Sequence, residues 1–574
     1  MQTPHIPKDA PFSGDQRTWL SGFIAGLNSR AAMAPAGGAA VATQATPIDI
    51  VFGTQTGNAE ALANDAAALA QSKGYTPRVK ELDDVSMDEL TSIENLLVVI
   101  STYGEGEMPD NAQMFWDNLS ATTAPRLESM SFAVLALGDT SYEFFCQAGK
   151  LIDTRLEQLG AKRMAGRLDC DVDYEDPANE WLQASIPTAG AAVDAPAPIP
   201  AKSGWTKKNP YPAEIVDNRV LSGEGSRKEI RHIGFSLGDS GIEYEAGDAL
   251  GVIPINHDDL VGLWLNRLGV DRDTTIDGKD APLGELLTSK LEIMTPSKEL
   301  IEGIEPLAKD DELSRVIHGG DNQAIDDYLW GKDALDLLNL NPGLELDPAQ
   351  IIGWLKPLQH RAYSISSSPK AHEGEVHLTV AAVRWENNGR PHRGVCSTFL
   401  ADQTPVGTTA GVFTMPNKNF RVPKDDTVPM IMVGPGTGIA PFRAFLEERK
   451  ARGASGSNWL FFGDQTRAKD FIYEDEISLM SASGVLNRLA LAFSRDQDEK
   501  IYVQHRMQEN GKDLYAQLEE GGYFFVCGDA TRMAKDVDAA LHEIIQTHGG
   551  MTEDNAVEYV NDLKRAKRYV RDVY

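Results

Sequence analysis

The stretch IDIVFGTQTGNAEALANDAAALAQSK, from Ile48 to Lys73, decides the fold of the first half of the chain. An apolar, strand-like run ends at Gly53, and Leu62, Ala66, Leu69 and Ala70 then make one stripe at helical spacing. The loop between them therefore turns a strand into a helix. A phosphate placed there meets unpaired backbone N–H groups and the positive end of the helix dipole, with Thr54, Thr56 and Asn58 offering side-chain hydrogen bonds. The loop lacks the Gly-Lys-Ser/Thr of a nucleoside-triphosphate site.

Working outward, TPRVKEL, LLVVIST, FAVLALG and KRMAGRL alternate with helical patterns to about Pro187, the rhythm of a doubly wound parallel sheet. STYGEGEMPD (Ser101 to Asp110) and LGDTSYEFF (Leu137 to Phe145) each follow an apolar strand, on the edge where open α/β sheets bind ligands. Each loop carries a tyrosine, Tyr103 or Tyr142, suited to stack on a flat ring. Glu105, Glu107, Asp110, Asp139 and Glu143 make this edge acidic, which suits a basic partner.

Upstream, Leu20, Phe23, Ile24 and Leu27 share a face of a short helical pattern that Thr18 could cap, followed by an Ala/Gly/Pro-rich tether from Ala31 to Pro47. A helix so short needs a surface to dock on, so residues 1–30 are expected to serve docking or oligomerisation. Downstream, a second Ala/Pro/Gly stretch, Ala189 to Gly204, marks a boundary and is neither basic nor amphipathic. RHIGFSL and YEAGDALGVI are β-type, residues from Asp258 to about Leu355 are mostly helical, and short strands return after Leu358. That order predicts a β-barrel with a helical insertion. From about Asp426, PMIMVGPGTG, NWLFFGD, RLALAFS and YFFVCGD predict a second parallel α/β domain. The expected boundaries are 1–30, 31–47, 48–187, 188–205, 206–425 and 426–574.

Composition limits the function. With 42% hydrophobic and 24% charged residues, the 574-residue chain is globular, and its net charge of −31 opposes nucleic acid or an anionic membrane as main partner. Cys146, Cys170, Cys396 and Cys527 are the only cysteines and lie at least 24 positions apart, so zinc, haem-attachment and ferredoxin spacings are missing and no metal site is expected. The start lacks a secretory signal, and no apolar run approaches the ~18 residues of a membrane span, so a cytoplasmic location is expected.

The second half adds two further cradles. In RAYS, Arg361 and Tyr363 share one strand face, so a guanidinium can grip phosphate while a ring covers a ring, which suits FAD. Gly394, Val395 and Ser397 of GVCSTFL open a helix able to receive a pyrophosphate. GPGTGIAPFRAF lets backbone approach a dinucleotide, and Ser494, Arg495, Lys500, Tyr502 and Gln504 could hold the extra phosphate of NADPH.

Together these segments resemble the diflavin reductase family over almost the whole chain, from Trp19 to Tyr574. WLSGFIAGL, LGDTSYEFFCQAGK, GDSGIEYEAGDALGV, TRMAKDV and the terminal RDVY are most similar to the branch of flavoprotein components of assimilatory NADPH-sulfite reductases. The resemblance implies a flavodoxin-like FMN domain, a β-barrel FAD domain with a helical insertion and a ferredoxin-reductase-like NADPH domain. It implies Thr54, Gln55, Thr56, Gly57, Asn58 and Ala59 on the FMN phosphate and ribityl chain. Ser101, Thr102, Tyr103 and Gly104 would surround the FMN ring, with Leu137, Gly138, Asp139, Thr140, Ser141, Tyr142, Glu143, Phe144, Phe145 and Cys146. Arg361, Ala362, Tyr363, Ser364, Thr379, Val380, Ala381, Trp385, Gly394, Val395, Cys396 and Ser397 would hold FAD. Gly436, Thr437, Gly438, Ser494, Arg495, Lys500, Ile501, Tyr502, Val503, Gln504 and Asp536 would hold NADPH. Ser364, Cys527 and Asp572 would support hydride transfer, and Tyr574 would lie over the FAD ring and move aside for nicotinamide.

The implied partner is a separate sirohaem and iron–sulfur haemoprotein. Two departures stand out: Tyr103 lies where sulfite reductase members can carry a non-aromatic residue, and Trp385 where tyrosine is common. A diflavin reductase for a monooxygenase or other haem protein remains an alternative, as does an assembly scaffold built on the N-terminal segment.

Overall fold

The computed structural model describes residues 46–188 and 204–574, apart from residues 56, 105, 141 and 143. The docking segment expected at 1–30, nearly all of the first tether, residues 189–203, and Thr56, Glu105, Ser141 and Glu143 lie outside the described residues.

The first unit is a parallel sheet of β1 (Thr46–Gly53), β2 (Tyr75–Glu81), β3 (Asn95–Ser101), β4 (Ser131–Leu137) and β5 (Lys162–Arg163) in the order β2-β1-β3-β4-β5. A short β6 (Leu168–Cys170) also pairs with β4. The centres of β1, β3 and β4 are apolar on both faces because helices cover both sides. One layer buries Leu62, Ala63, Ala66 and Ala70 of helix Asn58–Ser72, and the other Ile152 and Leu156 of helix Gln147–Gln158. Strand order reverses between β1 and β3, so the loops after β1, β3 and β4 converge at a topological switch point.

The second unit is an antiparallel six-stranded sheet ordered β10-β9-β14-β7-β8-β11. Its strands are β7 (Tyr211–Val220), β8 (Glu229–Ser236), β9 (Ala249–Ile253), β10 (Arg361–Ser364), β11 (Glu375–Ala382) and β14 (Thr409–Met415). An Ile365–Leu378 bridge joins the two edge strands and closes the barrel. Short helices between Asp258 and Gly353 interrupt it and pack around Trp264, Leu287, Leu300 and Ile351. A hairpin of β12 (Arg384–Asn387) and β13 (Arg390–Arg393) stands beside the barrel.

The third unit is a parallel sheet of β15 (Met430–Val433), β16 (Asn458–Asp464), β17 (Arg488–Phe493), β18 (Tyr523–Gly528) and β19 (Tyr569–Val573), ordered β17-β16-β15-β18-β19. One of its two cores is shared with the barrel, since Ile230, Ala246 and Phe420 pack with Phe442, Phe445 and Phe525. The first unit meets the other two mainly through charge. Arg571 forks onto Asp110, Lys535 reaches Glu107 at 3.3 Å, Lys356 reaches Asp171 at 2.9 Å, and Lys567 and Lys418 pair with Glu81 and Glu60. No helix among the described residues is long and apolar enough to cross a membrane.

Candidate functional site

The first cradle forms where β1 passes into helix Asn58–Ser72. Gly57 sits at φ +85°, a conformation costly for other residues, and its N–H donates to Thr54 Oγ1 at 2.9 Å. Thr54 N–H donates to Asn111 Oδ1 at 2.8 Å, which ties this loop to the one after β3. Gln55 Oε1 accepts from Asp110 N–H at 3.3 Å. Asn58 and Ala59 open the helix, whose first-turn N–H groups supply the anion-binding end.

Several ring-side residues have other partners. Ser101 Oγ turns to Gly53 O at 3.4 Å, and Thr102 Oγ1 accepts from Ala148 N–H at 3.2 Å. Thr140 donates to Asp171 through both N–H and hydroxyl and also contacts Lys356, which lies 3.7 Å from Asp139. Leu137 and Cys146 are buried, and Gly138 packs against Cys146 and Phe145. Gly104, Tyr142 and Phe144 are exposed. Tyr103 hydroxyl donates to Val573 O at 2.9 Å, so this ring belongs to the seam with the third unit as well as to the first cradle.

Both cradles open on one cavity of about 390 Å³, within the range of small-molecule sites. Thr54, Gln55 and Gly57 line one side, and Ala362, Tyr363, Ser364, Thr379, Ala381, Thr437, Asp572 and Tyr574 the other. Strand alternation explains β11: Thr379 and Ala381 face the cavity, whereas Val380 faces the barrel core. Cys396 is also in that core. Ser397 Oγ accepts from Val383 N–H at 3.2 Å, and Gly394 caps the helix Val395–Thr398. Arg361 turns to Glu292 at 3.4 Å, and Trp385 stacks on His392 while donating to Gly331 O. Neither Arg361 nor Trp385 lines the cavity.

At the cavity's inner end three distant segments meet. Ser364 Oγ donates to Asp572 Oδ2 at 2.6 Å, and Cys527 Sγ lies 3.9 Å from the same oxygen because β18 and β19 register Cys527 opposite Asp572. Desolvation lifts the Asp572 carboxyl above its ordinary value, opposed by the Ser364 bond. Burial and the neighbouring Asp572 push the Cys527 thiol well up, so it is a neutral thiol rather than a thiolate. Tyr574 is exposed, and its hydroxyl meets Thr437 Oγ1 at 2.8 Å.

The dinucleotide loop follows β15. A Cβ on Gly438 would lie 2.2 Å from Cys527 O, so only glycine lets the loop approach β18 this closely. Gly436, at φ +59°, stands before Asp464 and Lys228, which pair at 2.6 Å. Further along the sheet edge, Arg495 and Lys500 are exposed, Ser494 Oγ turns to Asp464 O, and Ile501 and Tyr502 lead into helix Val503–Glu509. Gln504 Nε2 donates to Asp536 Oδ2 at 3.1 Å, so two residues assigned to the same group meet. Sequence reasoning missed Asn111, Lys228, Asp464, Lys356 and the cavity-lining Pro416–Asn419 turn, since none belongs to a glycine-rich motif.

The fold and this cavity define an NADPH-dependent oxidoreductase with FMN and FAD domains. Family models agree: flavodoxin matches residues 50–181, FAD binding domain residues 204–399, and oxidoreductase NAD-binding domain residues 432–539. The chain is 42% identical to the sulfite reductase (NADPH) flavoprotein alpha-component of Bacillus subtilis (strain 168) over 97% of its own length and 95% of the relative's. It is 41% identical to that of Vibrio cholerae (El Tor Inaba N16961), covering 98% and 94%, and 40% identical to that of Klebsiella pneumoniae (MGH 78578), covering 98% and 96%. The chain belongs to the family of sulfite reductase (NADPH) flavoprotein alpha-components.

Proposed function

We propose that this chain carries reducing equivalents from NADPH to a separate haemoprotein bearing sirohaem and an iron–sulfur cluster, which reduces sulfite to sulfide. The observation that carries this reading is the common cavity: an anion-binding helix start at one side, a polar Ser364–Asp572–Cys527 corner at the other, and the dinucleotide loop behind it. Bound FAD and FMN supply the redox chemistry, turning a two-electron donor into a one-electron supply.

The chain's part is to bind and orient. Thr54 and the N-terminus of helix Asn58–Ser72 would hold the FMN phosphate, and Tyr363 would cover the FAD ring from the barrel. The Gly394 helix start would receive the FAD pyrophosphate, while Lys228, Arg495 and Lys500 would hold the phosphates of NADPH. Ser364 and Asp572 would fix the nicotinamide against the flavin, and Tyr574, whose hydroxyl meets Thr437 Oγ1, would stand at that position until it turns away. Ser364→Ala and Asp572→Asn are each expected to slow flavin reduction by NADPH about 100-fold in stopped-flow absorbance.

The test of the whole reading is NADPH-dependent sulfide production when the flavin-loaded protein is mixed with a sirohaem protein and sulfite. Bleaching of both flavins with no reduction of any sirohaem protein would overturn it in favour of another haem acceptor. We also propose a cytoplasmic location and self-assembly through residues 1–30; a deletion of these residues whose mass in solution matches the full chain's subunit count would refute the latter.

A further inference from the structure

We propose that His372, Glu375 and His377 form a binding site for one divalent transition-metal ion, with zinc the best match. The three residues come from the short segment His372-Glu373-Gly374-Glu375-Val376-His377. Strand alternation puts Glu375 and His377 on one face of β11, and the turn before it brings His372 back to them, with Glu375 N–H donating to His372 O at 3.3 Å. Gly374, at φ +75°, makes that reversal possible.

Each residue presents one ligand atom, and the three atoms lie within 4.8 Å of one another. Glu375 Oε2 and His377 Nε2 are 3.1 Å apart, close to the about 3.3 Å that two ligands keep on a tetrahedral zinc with bonds of about 2.05 Å. The imidazole rings of His372 and His377 lie side by side, their centroids 4.3 Å apart at 58°.

A second observation concerns His377 itself. Its side chain is only 7% exposed, so the packing around it holds the ring with Nε2 beside Glu375. His372 and Glu375 are partly exposed, at 28% and 44% of their side chains, so an ion and its remaining water have a way in. Two histidines, one glutamate and an open position make a recognised zinc ligand set. Glu447 meets His372 Nε2 at 3.0 Å, the outer carboxylate that orients a ligating histidine.

The molecule provides its own contrast. Asp333, Asp336 and His392 also cluster, but the Arg390 guanidinium lies among them, 2.7 Å from Asp336 and 2.7 Å from His392 Nε2. A cation of the chain already occupies that position. Glu375 has no lysine or arginine partner among the described residues.

None of the three proposed ligands lines the common cavity, so metal and electron transfer are separable. The neighbouring Ser368 is held by Glu447 and Glu448 of helix Ala440–Arg452, so an ion here would stiffen the joint between the barrel and the third unit. The test is calorimetric titration of zinc chloride into chelator-treated, flavin-loaded protein, with thermal denaturation alongside. We expect one saturable zinc per chain and a rise in Tm that follows its occupancy. His372→Ala and Glu375→Gln, both at the exposed side, should lose that zinc and the Tm rise while keeping their flavins and NADPH–ferricyanide turnover. No saturable zinc, or one that survives either substitution, would overturn the proposal.

Discussion

The barrel joins the third unit through a common apolar core, whereas the first unit is held to both largely by ion pairs. Phe420 packs on Phe442, Phe445 and Phe525 at ring separations of 5.2 to 6.1 Å, all four rings fully buried. On the other seam, Asp110, Glu107, Asp171, Glu81 and Glu60 face Arg571, Lys535, Lys356, Lys567 and Lys418. Apolar burial is large and insensitive to salt, while exposed charge pairs contribute about 0–1 kcal/mol each and are screened. The two units that hold Ser364 against Asp572 thus share an apolar core, whereas the first unit is joined to them through charge pairs that salt screens.

The largest break in that comparison should come from Phe445→Ala, which removes a ring from the fused core. A loss of about 3–5 kcal/mol is expected in chemical denaturation, with the barrel and the third unit unfolding together. Separate transitions for these two units would end the idea of a single core.

Acid should act on the same joint. His232, on β8, is buried against Tyr473, meeting its hydroxyl at 2.9 Å, and burial lowers its pKa from 6.5 to about 2. The folded protein therefore keeps His232 neutral while the unfolded chain takes up a proton below about pH 6.5. This stability is fully present above that pH and is lost as pH falls toward about 2, at up to about 1.4 kcal/mol per pH unit. Tm against pH should show the slope, and His232→Gln should flatten it.

Smaller effects belong to the charged seam. Asp110→Asn takes one partner from a part-exposed pair and should weaken docking by about 1 kcal/mol, slowing FMN reduction about fivefold and leaving FAD reduction unchanged in stopped-flow traces. High salt should slow the same step in the native protein, and the variant, lacking the Asp110 pair, should depend less on salt. Lys418→Ala, at a pair whose lysine is 67% exposed, should shift the same rate least, by under about 0.5 kcal/mol.

Architecture was legible in the sequence because each unit repeats a strong local period. The strands ending at Gly53, Ser101 and Leu137 were readable as one ligand-binding edge, and the residues that converge at Asp572 could be named individually through the family resemblance. What could not be read was side-chain direction set by long-range docking. Thr140 spends its hydroxyl on Asp171 and Arg361 turns to Glu292, each because a segment distant in sequence arrives beside it. Lys228 and Asn111 carry no local signature at all.

The Tyr103 hydroxyl grips the carbonyl of Val573, the residue next to the terminal aromatic ring. Val573 is thus held by the first unit, while its neighbour Tyr574 meets Thr437 of the dinucleotide loop. Were a ligand that moves Tyr574 also to loosen the Tyr103 bond, thermodynamic reciprocity would make seating of the first unit alter affinity for that ligand by the same factor.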